Sequence, residues 1–168
     1  MSLSDLLKGL TKDDLAILGE IAVSMSSLEH MTQAAIWVLL NLDEDRGLLI
    51  TGPLQLNQKT ELLRGLAKKL PPEDSSTLSN IISDIDRVRP ERNRKLHALW
   101  RHNNAMEKIA ITLGSDRRSM KETKFSTADL VNTRDEIRKV EFSVTTWLIG
   151  YLRQRQALKE KPGPQPHP

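Results

Sequence analysis

Cysteine is absent from this 168-residue chain. That excludes a disulfide scaffold, a Cys-ligated zinc and a thiol nucleophile, and it fits a reducing compartment. Aromatic residues make up only 4% of the sequence, so Leu, Ile, Ala and Val must do most of the packing. Long apolar runs are missing too. The longest, AAIWVLL from Ala34 to Leu40, is far short of the roughly 20 residues that span a bilayer. The opening MSLSDLLKGL has neither a basic start nor a long apolar stretch, so it does not read as a signal peptide. Charge of one sign is not in great excess: 25 Lys and Arg stand against 22 Asp and Glu, and a net +3 does not itself argue for nucleic acid. Together these absences predict a soluble, cytoplasmic protein with no membrane contact. The length suits one domain with a real core.

What the chain does have is helical periodicity. Thr11 opens a capping-box-like TKDDL, with Asp14 three residues on, and Leu15, Leu18, Ile21, Ala22, Met25, Leu28, Ala35, Leu39 and Leu40 then follow at helical spacing to about Asn41. DEDRGLLITGP reads as a connector holding at most a short helical turn. Leu62, Leu63, Leu66 and Leu70 predict a second helix over about 56–70, stopped by Pro71-Pro72. A third starts near Glu73 and carries Leu78, Ile81, Ile82, Ile85 and Val88. Pro90 should kink it or end it, and helical spacing resumes at Leu96 and Leu99. Ile109, Ile111 and Leu113 alternate with Ala110 and Thr112 ahead of a Gly114-Ser115-Asp116 turn, which predicts a short β-ribbon. A last helix opens near Ser126 or Thr127 and runs to about Leu158. The expected fold is all-α: an up-and-down helical bundle of four to five helices with a short β-hairpin inserted before the last helix. One domain is expected over 1–160, followed by a disordered Pro-rich tail over 161–168.

The chemistry concentrates in RPERNRKLHALWRH, Arg89 to His102. On a helical wheel Arg92 falls inside the apolar stripe, seven residues after Ile85 and four before Leu96. A guanidinium there must be paired, reach water or face a partner subunit. His97 follows five residues after Arg92, about 140° around an ideal helix. Within one chain these side chains are therefore expected to diverge, and two copies about a two-fold axis could bring both pairs into one cleft. The residue types suit a phosphodiester. Arginine offers a fork of donors to phosphate, histidine exchanges a proton near neutral pH, and Asn93 can orient either. RNA brings its own nucleophile, the 2′-hydroxyl, so neither a metal nor a protein nucleophile is strictly required.

RNRKLH, Arg92 to His97, resembles the R-x(4-6)-H signature of the HEPN superfamily, with the usual polar residue directly after the arginine. The resemblance implies a helical bundle of four or five helices that dimerises, and in many members a metal-independent endoribonuclease. Some of these are toxins of toxin–antitoxin pairs or effectors of phage defence. Arg92, Asn93 and His97 would be its catalytic residues. No cofactor or metal is implied. RNA, a second copy of the chain and an antitoxin or nucleotidyltransferase-like protein are the implied partners. Ala98 stands where many members have glycine, and Leu99 stands where nucleotidylated toxins carry tyrosine.

Arg89, Arg94, Lys95 and Arg101, with Arg87 beside them, are expected to form an RNA-binding rim, which Arg117, Arg118, Lys121 and Lys124 could extend. The plainer alternatives are a solvated basic face, an Arg92 ion pair with Glu29, a helix-end His97 and an Asn93 that only caps. Neither Glu29 nor His30 has a spacing partner that suggests a metal site, His102 is expected at the surface, and His167, in the tail, carries no assignment. Trp37, Trp100 and Trp147 are core or interface candidates, with base stacking as the lesser alternative for Trp100. Two further functional readings stand beside the nuclease: a non-catalytic HEPN-like module binding a protein or nucleotide, and a helical adaptor with no family relation.

Overall fold

A computed structural model describes residues 10–102, 107–113 and 120–160. Among them are five helices: α1 (Lys12–Leu40), α2 (Glu44–Thr51), α3 (Leu56–Ala67), α4 (Pro72–Leu96) and α5 (Thr127–Glu160). Three strands, β1 (Leu99–His102), β2 (Lys108–Leu113) and β3 (Met120–Lys124), lie between α4 and α5. The result is a mostly helical bundle with a small antiparallel sheet inserted before the last helix.

Local chemistry sets the helix ends. The Thr11 amide and hydroxyl both donate to Asp14 Oδ2 at 2.8 Å, and the Asp14 amide donates back to Thr11 Oγ1 at 3.2 Å. This is the reciprocal box that the TKDDL spacing predicts. Ser126 and Asp129 repeat it at the start of α5. α1 stops at Asn41, whose φ of 57° is the left-handed conformation that asparagine tolerates. The connector after it holds more than one turn: Asp43 caps the eight-residue α2 by accepting from the Arg46 amide at 2.9 Å.

Two expectations change in the middle of the chain. Pro90 neither ends nor restarts the third long helix, because α4 runs unbroken from Pro72 to Leu96. The helical spacing read through Leu99 does not hold. Leu99 to His102 instead pair with β2, with Leu99 opposite Ile111 and His102 opposite Lys108. The expected hairpin, β2 against β3, is thereby extended to a three-stranded sheet of order β1-β2-β3. The predicted Gly114-Ser115-Asp116 turn, Arg117, Arg118, the opening residues 1–9 and the Pro-rich tail, with His167 in it, lie outside the described residues.

Backbone proximity divides the chain into two compact units, to each of which α1, α4 and α5 contribute a segment. One joins the residues up to Glu29 with Ser83–Glu141, and the other joins His30–Ile82 with the residues from Phe142 on. In the first, Ile17, Ile21, Met25 and Leu28 of α1, Ile85 and Val88 of α4, Trp100, Ile109 and Ala110 of the sheet, and Leu130, Ile137 and Val140 of α5 are buried. Each large aliphatic side chain so buried contributes about 2 kcal/mol. Hydrogen bonds from Arg134 to Glu20 and from Ser27 to Glu141 run α1 and α5 parallel. Bonds from Arg87 to Glu136 and from Lys95 to Thr133 run α4 antiparallel to α5. A buried Asp14 carboxylate ties α1 to the sheet and α5, accepting from Lys108 Nζ at 2.5 Å and Thr127 Oγ1 at 2.8 Å. Burial works against its charge, but the Lys108 ammonium and the Thr11 and Thr127 donors outweigh burial and hold the carboxyl well below its ordinary value.

In the second unit, Ile36, Leu56, Leu63, Leu78, Ile82 and Val144 are fully or almost fully buried. Trp37 donates its Nε1–H to Thr51 at 2.9 Å, and α2 passes so close to its ring that a Cβ at Gly47 would sit 2.6 Å from it. Trp147 is buried and stacks on Tyr151 at 5.3 Å. No described helix is long and apolar enough to cross a membrane.

Candidate functional site

The end of α4 decides where His97 sits. The last helical bond runs from the His97 amide to the Asn93 carbonyl at 3.1 Å. The Lys95 carbonyl accepts from Trp100 Nε1 at 3.2 Å, and from Leu99 onward the backbone is paired with β2. His97 therefore lies one residue beyond α4, and the ideal-helix angle no longer governs it.

The consequence reverses the expected divergence. Arg92, Asn93 and His97 meet within a single chain. Arg92 Nη1 donates to Asn93 Oδ1 at 2.8 Å and lies 3.4 Å from His97 Nε2. A guanidinium has only donors, so this contact asks Nε2 to be the unprotonated ring nitrogen. Asn93 acts twice: its carbonyl closes the last helical turn and its side chain fixes the guanidinium. Asn93 and His97 are exposed and Arg92 is half-buried. Arg92 Nε is buried and makes no hydrogen bond, and no described carboxylate pairs with this side chain. The alternative ion pair with Glu29 is therefore not formed.

The other cations of the stretch are arranged differently. Arg87 Nη1 pairs with Glu136 at 2.5 Å and Nη2 with Asp84 at 3.2 Å, which raises the arginine's pKa and lowers that of Glu136. Arg89 pairs with Asp86 at 3.3 Å, Arg94 with Glu91, and Arg101 with Glu122 at 2.5 Å. On the ribbon, Lys124 pairs with Glu107 at 2.8 Å and Lys121 is exposed. The expected rim is thus largely neutralised by carboxylates. Three of these pairs follow the i,i+3 spacing of Asp84, Asp86 and Glu91, a signal present in the sequence.

Lys95 departs furthest from the rim. Its side chain is only 5% exposed, so it cannot meet a strand on the surface in this arrangement. Its ammonium reaches Thr133 Oγ1 at 2.5 Å, stands 3.4 Å from Glu91 Oε2 and lies 5.1 Å from the centre of the Phe125 ring. Burial, and then the neighbouring Arg94, lower its pKa, with Asp129 opposing. Trp100 packs against Phe125 at 5.4 Å and is buried rather than placed for base stacking. His102 is half-buried in β1 and His30 is exposed.

The chain matches no family model, no curated protein and no solved structure. Among the described residues, no group of three or more His, Asp or Glu side chains is placed to hold a metal ion.

Proposed function

We propose that the chain is a metal-independent endoribonuclease of HEPN type, working as a homodimer with its RN-x-x-x-H segments at the interface. One observation carries the reading. Arg92, Asn93 and His97 come within hydrogen-bonding reach at an exposed helix end, and no described carboxylate claims the arginine. In this role Arg92 steadies the non-bridging oxygens of the scissile phosphate, and Asn93 holds the guanidinium in line. The substrate's 2′-oxygen attacks phosphorus, the bond to the 5′-oxygen breaks, and the leaving oxygen is protonated. His97 takes the attacking group's proton as base or supplies the leaving group's proton as acid. The products are a 2′,3′-cyclic phosphate and a free 5′-hydroxyl. A toxin or defence role, with an antitoxin or nucleotidyltransferase-like protein as regulator, belongs to this reading.

A second reading is a non-catalytic HEPN-like module that binds a protein or a nucleotide. The carboxylates paired with Arg87, Arg89, Arg94 and Arg101 favour it, because they weaken any long-range pull on RNA. Incubating purified protein with RNA in EDTA separates the two. The first reading expects cleavage with cyclic phosphate ends, and a rate about 10²- to 10⁴-fold lower for His97→Ala. Equal cutting by parent and variant would contradict it, and intact RNA with the parent would put the second reading in its place.

A further inference from the structure

Beside the last turns of α4, on the face that carries Lys95, the first unit contains a pocket of about 370 Å³ closed by β3 and the first turns of α5. That volume falls in the range of small-molecule sites. Arg87, Arg94, Lys95 and Lys124 line it, with Arg87, Arg94 and Lys124 paired to Glu136, Glu91 and Glu107, and the Thr123 and Asn132 side chains make no hydrogen bond among the described residues. Its acceptors are already engaged. Glu91 holds Arg94 and Lys95, Glu136 holds Arg87 and Lys139, and Asp129 accepts from the amide and hydroxyl of Ser126.

Lys95 is the most deeply buried charge in this wall. Its carboxylate contact is long, at 3.4 Å, and Glu91 shares that carboxylate with Arg94. Thr133 Oγ1 and the Phe125 ring also engage the ammonium, but the shared Glu91 carboxylate is its one ion-pair partner among the described residues, which leaves room for a further anion to balance the buried charge. Phe125 and Val88 supply an apolar wall, and the volume exceeds what one phosphate fills.

We infer that this pocket binds a phosphate dianion, free or as the monoester of a small alcohol, with Lys95 as its innermost contact. The Asn132 amide and Thr123 hydroxyl supply neutral donors, and the apolar wall receives the ester group. This site is separate from Arg92, Asn93 and His97, none of which lines it. Binding is read without RNA, so the proposal and the nuclease reading fail independently.

The test is a ¹H–¹⁵N NMR titration of the full chain with inorganic phosphate, with ionic strength held constant by potassium chloride. Saturating shifts are expected at the amides of Thr123, Phe125, Asn132 and Thr133. Glycerol 3-phosphate reaching saturation at the same amides assigns the ester, and saturation by phosphate alone assigns the free ion. Lys95→Met should weaken binding about tenfold, the loss of one charge-assisted contact. If that variant does not fold, Asn132→Asp changes only an exposed position and should weaken binding severalfold by like-charge repulsion. Shifts that never saturate, shifts confined to exposed cations such as Lys121 and Arg138, or an affinity unchanged in the folded variants would overturn the proposal.

Discussion

The C-terminal end of α4 carries two cations, three residues apart, that the fold uses in opposite ways. Lys95 is drawn inside, onto Thr133 and the Phe125 ring, and its carbonyl holds the Trp100 indole. Arg92 stays half-buried, is held only by Asn93 and faces an exposed His97. The first set joins α4 to the sheet and to α5, and the second leaves its groups open to solvent and to a ligand. Basic character alone does not tell how the fold uses a cation. Lys95 is buried against Thr133 and the Phe125 ring with one shared carboxylate, whereas Arg92 is held by Asn93 with no described carboxylate.

The buried side should fail by unfolding. Trp100→Ala removes a buried ring that packs on Phe125 and pins the helix end, and should lower stability by about 3–5 kcal/mol in a urea titration. A loss under about 1 kcal/mol would show that this side does not anchor the helix. Thr133→Val takes away the nearest acceptor of the Lys95 ammonium and should cost less, about 1–3 kcal/mol. An unchanged melting curve would mean that water or Glu91 replaces the hydroxyl without loss.

The long helices and their starts were legible in the sequence, because apolar spacing and the Thr11–Asp14 box act within a few residues of each other. The end of α4 was not. Leu96 and Leu99 fit a helical stripe, and only pairing with Ile109 and Ile111, far along the chain, turns Leu99 to His102 into a strand. The error carried into the site, where a wheel drawn through His97 separates it from Arg92. Pro90 left two outcomes open, a kink or an end, and α4 continues through it despite the missing amide donor. Asp84, Asp86 and Glu91, each three residues before an arginine, already announced that the basic run would be neutralised. The burial of Lys95 had no such local signal, because it depends on Thr133 and Phe125 from beyond the sheet.

The most direct measurement sets three variants side by side: single-turnover cleavage of one RNA, in EDTA, by Arg92→Ala, Arg94→Ala and Arg101→Ala, with stability measured for each. The account predicts that Arg92→Ala slows cleavage at least about a hundredfold while its stability changes by under about 1 kcal/mol. Arg94→Ala and Arg101→Ala, already neutralised by Glu91 and Glu122, should stay within about twofold of the parent. Equal losses in all three would contradict the distinction between Arg92 and its paired neighbours.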